Sequence, residues 1–176
     1  MPRSQQQALL DCVSDMLQDV QLEVRLGAAA TISGMVRCSP LAFREQTVKT
    51  LQKRFTDTLV ANPLPKKQRG PNAPPPGTPT PEQAKLVLTR HSAVLGLGAL
   101  VQAFPYTSPP PAWLPEVLAT LSRKASNDPG MVGKSVKTVL SDFKKTRQDT
   151  WHIDVKAFEQ EQLEDLEGVL WKSYFA

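Results

Sequence analysis

Arg90-His91-Ser92-Ala93-Val94-Leu95-Gly96-Leu97-Gly98-Ala99-Leu100-Val101-Gln102-Ala103-Phe104-Pro105 is the stretch on which the fold turns. An earlier stretch, Arg25 to Pro40, follows the same plan. Setting Arg25 on Arg90 brings Ala28 onto Ala93, Ile32 onto Leu97, Met35 onto Leu100, Val36 onto Val101 and Pro40 onto Pro105. In both copies a proline follows the arginine by fifteen residues and closes an apolar run with three- and four-residue spacing, the spacing of one helix face. Two such copies make this a repeating chain of helices.

The distance between the copies supports that reading. They lie 65 residues apart, and an 18-residue proline-rich insert at 63–80 falls between them; without it the spacing is 47. Helical hairpins of the HEAT type repeat at roughly 40–47 residues. A weaker third copy uses Val132, Val136, Val139 and Leu140. The expected fold is therefore all-α, a HEAT/armadillo-like solenoid of three hairpins, residues 4–38, 41–104 and 112–146, with a C-terminal capping helix. Three repeats are about the minimum that buries a continuous core.

Individual helices announce themselves by periodicity and by their starts. Leu9, Leu10, Val13, Met16, Leu17 and Val20 form one apolar face, and Leu41, Val48, Leu51, Phe55 and Leu59 another. Further helices are expected over 82–104, from Pro115 to about Ala125, and from Met131 to Lys145. Ser39-Pro40, Thr80-Pro81 and Asp128-Pro129 each pair a capping side chain with a proline whose missing N–H costs nothing in the first turn. Thr80 also has Gln83 three residues on, a capping box. The small residues Gly27, Ala28, Ala29, Ala30 and Gly34 suit close helix packing. No alternating strand pattern bounded by hairpin turns occurs.

Composition bounds the function. The 176 residues are 40% hydrophobic and 22% charged, enough for one ordinary core. Eight of the 16 prolines fall between Pro63 and Pro81, so the insert, with Lys66, Lys67 and Arg69, is expected to be a solvated, disordered loop. This divides the chain into helices 1–62, the insert 63–80, helices 81–153, and a capping helix with tail, 154–176. Two cysteines and two histidines exclude a disulfide scaffold and leave too few soft ligands for structural zinc. No run of 18 apolar residues or signal-peptide pattern is present, so a soluble, reducing, intracellular setting is expected, with no membrane.

Charge is uneven. Residues 1–153 carry 19 basic and 11 acidic side chains, net +8, and residues 154–176 carry two basic and six acidic, net −4. The basic residues are scattered and no aromatic stacking platform interleaves them, so direct nucleic-acid binding is not expected. Phosphate loops, His-Glu-x-x-His and nucleophile elbows are all missing. His91 reads as a packed or surface histidine, Cys12 and Cys38 as small core residues, and Trp151, beside Asp149 and His152, as a plug at the end of the stack. No catalysis, cofactor or metal is expected.

The C-terminus stands apart. Glu159 and Glu161 suit the first turn of a helix, and Leu163, Leu166 and Leu170 give it a narrow apolar stripe. Trp171-Lys172-Ser173-Tyr174-Phe175-Ala176 then remain. Two aromatics beside a terminal carboxylate could fill a pocket that ends in a lysine, or fold back on their own domain.

Arg90 through Leu97, then Asn127-Asp128-Pro129, then Thr138-Val139-Leu140-Ser141-Asp142-Phe143-Lys144-Lys145-Thr146 followed by Trp151, and the aromatic-aromatic-Ala end together resemble the large HEAT-repeat proteasome activators. The resemblance runs from about residue 20 to the terminus, apart from the insert. It implies a dome that sits on the 20S proteasome core particle and promotes gate opening. A C-terminal hydrophobic–tyrosine–any motif enters a pocket between α-subunits, where its carboxylate meets a lysine. Carried over, Tyr174 takes the hydrophobic place, Phe175 the tyrosine place, and Ala176 supplies the carboxylate. Phe175 departs from that pattern by lacking the phenolic hydroxyl, worth about 0.5–1.5 kcal/mol as one hydrogen bond. The resemblance also implies a bromodomain-like region reading acetylated histones, overlapping the first hairpin and part of the second; Phe43 and Asn62 are the residues there that could serve an acetyl-lysine pocket. A nuclear and cytoplasmic location is the matching expectation.

Overall fold

The computed structural model describes residues 2–65 and 80–170, and the side chains of Arg3 and Leu170 are not among the described parts. The tail residues Tyr174, Phe175 and Ala176, and all of the insert between 66 and 79, therefore lie outside the described residues. The rest is all helical: α1 Arg3–Asp15, α2 Leu22–Cys38, α3 Leu41–Ala61, α4 Pro81–Gln102, α5 Leu114–Ala125, α6 Met131–Lys145, α7 Trp151–Asp154 and α8 Gln160–Leu170. Short 3-10 turns at Met16–Gln18 and Val155–Ala157 follow α1 and α7, and no strand occurs among the described residues.

α4 is the axis of the molecule. Every residue from Arg90 to Val101 is buried, because α2, α3, α5, α6 and the turn after α1 surround it. By length and mean hydropathy alone α4 could cross a membrane, but two thirds of its most apolar window is covered by the protein; it is a core helix. Thr80 and Gln83 form the expected capping box at its start, with Gln83 N 3.2 Å from Thr80 Oγ1 and Thr80 N 3.0 Å from Gln83 Oε1. Most of the apolar positions aligned between the two stretches are buried. Ala28, Ile32 and Val36 of α2, and Ala93, Leu97, Leu100 and Val101 of α4, are all buried, and α2 and α4 pack on each other. Val132, Val136, Val139 and Leu140 are buried too, and they belong to α6, which packs on the other flank of α4.

Several local expectations need correcting. α1 stops at Asp15, short of Met16 and Val20; Leu10, Val13 and Leu17 are buried while Leu9, Met16 and Val20 are exposed. Leu41, in the first turn of α3, is likewise exposed. Ser39 does not cap α3; its hydroxyl donates back to Met35 O, at 2.5 Å, within the helix it follows. Asp128 does not cap α6 either. Gly130, at φ 66°, takes that position, a left-handed conformation that favours glycine, and Asp128 is engaged by Arg90 instead. Cys12 and Cys38 are exposed rather than core residues. Of the small residues in α2, only Ala28 and Ala29 are buried, and a Cβ at Gly27 or Gly34 would meet nothing within 4 Å.

Glycine matters more in α4. A Cβ on Gly96 would stand 2.4 Å from the Phe55 ring, and one on Gly98 would stand 2.7 Å from Val139. Their absent side chains let α3 and α6 approach the axis. We expect Gly96→Ala to lower stability by about 1–3 kcal/mol through overpacking. Adding Phe55→Leu should recover part of that loss, because the two sites are coupled. Thermal unfolding of the single and double variants checks both.

His91 is buried, with Nε2 2.9 Å from Ser135 Oγ. Burial, and then the nearby charge of Arg25, push its pKa down from 6.5 to about 4. The unfolded chain therefore takes up a proton that the folded one refuses as pH falls from 6.5 toward 4. Stability should be fully present above pH 6.5 and decline through that window. In His91→Gln, the slope of melting temperature against pH should flatten over the same range.

Candidate functional site

The candidate site is the C-terminal end; Tyr174, Phe175 and Ala176 lie outside the described residues, and the described element before them is α8. α5 and α6 form its bed. Leu166 is 1% exposed and Phe158 is buried just before the helix begins. Leu163 and Val169 pack half-buried beside them. Gln162 Oε1 accepts the backbone N–H of Glu159 at 3.0 Å, closing the helix start. Polar contacts fix the register: Ser122 Oγ donates to Asp165 O at 2.5 Å, and Gln162 Nε2 to Glu116 Oε2 at 3.1 Å. Arg123 stands between Glu116 at 2.7 Å, Asp165 at 3.3 Å and Glu161 at 3.8 Å, so part of the acidic character of α8 is neutralised by α5.

Behind α8 lies an aromatic wedge. Trp151 and Phe158 have ring centroids 5.5 Å apart, and each also meets Phe143 of α6 at 6.5 and 6.3 Å. These tilted and edge-on contacts favour the rings' quadrupoles. The Arg147 guanidinium lies over the Phe143 ring, 5.3 Å from its centroid. Trp151 is half-buried between Phe143 of α6 and Phe158 just before α8.

A buried polar knot locks this wedge to the end of α4. Arg147 and Asp154 are 1% and 0% exposed as side chains. Arg147 donates to Phe104 O, to Thr107 O and to Asp154. Asp154 also accepts from Ser108 Oγ and Thr150 Oγ1, each at 2.6 Å. Burial alone would push the Asp154 carboxyl up, but the hydrogen bonds from Ser108, Thr150 and Arg147, with the Arg147 charge, outweigh it and hold the carboxyl below its ordinary value. Sequence inspection missed this knot, since Arg147 and Asp154 sit in a stretch without periodicity. The only available signal was a lone Arg–x6–Asp spacing across a connector.

The other candidate residues are not brought together. Phe43 is half-buried in the first turn of α3, whereas Asn62 caps its far end. Nineteen residues of helix separate them, roughly 28 Å at 1.5 Å per residue. Asn62 is committed locally: its side chain donates to Thr58 O at 2.9 Å and its carbonyl accepts from Arg90. Two surface grooves do exist. One runs over α4 between α2 and α6, lined by Leu22, Leu26, Leu95, Gly98, Met131 and Val139 among others. The second lies between α6 and the end of α8 and is rich in lysine. Neither includes Phe43 or Asn62. Among the described residues no group of three or more His, Cys, Asp or Glu side chains could hold a metal.

Among the described residues, α8 is the last helix, and it is fastened to α5 and α6. The family described as "Proteasome activator complex subunit 4-like, C-terminal" matches residues 87–176, which is just over half of the chain. Among curated relatives, the Saccharomyces cerevisiae protein named "Proteasome activator BLM10" is 40% identical over 164 residues, covering 93% of this chain and 7% of its own length. The Homo sapiens "Proteasome activator complex subunit 4" is 38% identical over 152 residues, 86% of this chain and 8% of its own. An Arabidopsis thaliana protein, "Proteasome activator subunit 4", is 30% identical over 97% of this chain and 8% of its own. The chain belongs to the proteasome activator complex subunit 4-like family. It spans less than a tenth of the length of these relatives. They are named as activators, in keeping with a chain that is not an enzyme.

Because Asp154 is the counter-charge of a buried arginine, its loss should be costly. Asp154→Asn should destabilise the fold by about 3–5 kcal/mol, the cost of leaving a buried charge unpaired. The depressed carboxyl also implies stability that is present above the ordinary aspartate value of 3.8 and is lost as pH falls through the folded value. Denaturant titrations of wild type and variant at neutral and acid pH should show the difference between them narrowing on the acid side.

Proposed function

We propose that this chain is the non-catalytic docking end of a proteasome activator. In this reading it seats on the 20S core particle through Tyr174, Phe175 and Ala176, meeting α-subunits, and promotes gate opening and ubiquitin-independent degradation. The observation that carries the proposal is the family match to a C-terminal region that continues through Ala176. α8 supports it. A helix fastened by Leu166, Ser122 and Arg123 presents the following six residues from a defined place, so less freedom is lost when they bind.

The arrangement upstream supports a solenoid. α1 packs on α2, α3 on α4 and α5 on α6, while α2, α4 and α6 pack in series. Hairpins stacked through their second helices are how HEAT-type repeats build a continuous core, and we read this chain as such repeats within a longer array. A nuclear and cytoplasmic location belongs to the same proposal and is open to cell fractionation. The acetylated-histone alternative loses the two residues named for it, since Phe43 and Asn62 stand at opposite ends of α3.

The decisive experiment measures binding to purified 20S core particle. Deleting Tyr174 to Ala176, or amidating the terminus, should abolish or sharply reduce it; unchanged binding would refute the docking reading. Phe175→Tyr restores a phenolic hydroxyl and should tighten binding by about 0.5–1.5 kcal/mol, or roughly two- to twelvefold. Peptidase activity of the core particle, assayed alongside, reports gate opening separately from docking.

A further inference from the structure

The two faces of α6 have different fates. Val132, Val136, Val139, Leu140 and Phe143 are buried. On the open side, Lys134, Lys137 and Lys145 are exposed, and with Thr138 and Ser141 they line a groove whose opposite wall is Gly168 and Val169 at the end of α8. Among the described residues one acid lines it, Asp142, and Lys145 stands 3.4 Å from that carboxylate. Lys134 and Lys137 form no ion pair among the described residues. The groove therefore carries uncompensated positive charge beside the point where the chain leaves α8.

We infer that this lysine groove is a second contact surface, for an acidic stretch of the same protein surface that receives Tyr174, Phe175 and Ala176; the inference rests on the docking reading above. Reach is the first argument. Six residues follow Leu170, and an extended chain covers at most about 3.5 Å per residue, or roughly 21 Å in all. A surface that takes the terminal carboxylate thus lies close to the groove. Charge is the second argument. Lysines act as hydrated point charges, and such charges at the rim of an interface raise the association rate and set orientation.

A nucleic acid fits less well. Among the described residues, no aromatic side chain lines the groove to stack on bases.

The test uses the full chain and immobilised 20S core particle, at salt on the order of 50 and 300 mM. Lys134→Glu with Lys137→Glu should weaken binding about tenfold at low salt, with a smaller difference at high salt. The Gln pair should fall between that variant and wild type. Both side chains are exposed, so melting temperatures should not move, and the Gln pair guards against charge reversal that unsettles the fold. Wild-type affinity and salt slope in the Glu pair, with binding still lost on deleting Tyr174 to Ala176, would overturn this inference and leave the docking reading standing. No binding by the intact chain would overturn both. If the Glu pair instead loses affinity for a DNA duplex while keeping that for the core particle, the groove is a nucleic-acid surface and the inference fails.

Discussion

The structure depends on one buried guanidinium. Arg90 is 2% exposed, deep in the central helix, and a cation taken there unpaired costs several kcal/mol. It is fully satisfied. Nε and one Nη donate to Asp128 at 2.7 and 3.1 Å, and the remaining donors reach Leu59 O, Asn62 O and Lys124 O. Leu59 and Asn62 end α3, and Lys124 ends α5. The final carbonyls of a helix lack intrahelical partners and carry the negative end of its dipole. One arginine therefore ties two helix ends and the α5–α6 loop to α4.

The same device recurs along the chain. Arg147 takes carbonyls just past the end of α4. Arg44 donates to Arg37 O and Ser39 O at the end of α2, Arg37 to Gln102 O at the end of α4, and Arg25 to Asp19 O and Val20 O before α2. Each anchors a corner where a helix stops and the chain turns. Corners held by fixed charges, rather than by apolar contact alone, give the hairpins their register, since a guanidinium requires its acceptors at set angles. The last of these corners, the Arg147–Asp154 knot, lies beside the aromatic wedge on which α8 rests.

Much of this was legible in the chain. The apolar spacing in α3 from Val48 to Leu59, that in α6, and the capping box at Thr80 all describe what is found. They are local or periodic, and helix periodicity is a property of neighbours three and four residues apart. Expectations failed where a distant group competed for a side chain. Asp128 had the look of a cap but is held by Arg90 across 38 residues. Ser39 turned back to its own helix. Met16 and Val20 extended an apolar stripe beyond the point where α1 ends, and Leu9 faces outward within it. Phe43 and Asn62 shared a region of sequence but not a place.

By itself, the sequence determined the helical class and the family likeness carried by Arg90 to Leu97, and it suggested a repeat with a 47-residue period once the proline-rich insert was set aside. Those follow from residue type and spacing, which survive in any one-dimensional reading. Only the tertiary structure decided which lysines of α6 stay uncompensated, that Asp154 answers Arg147, and that Gly96 yields its volume to Phe55. Burial and charge pairing are properties of groups brought together from far along the chain, and no local spacing encodes which of them will meet.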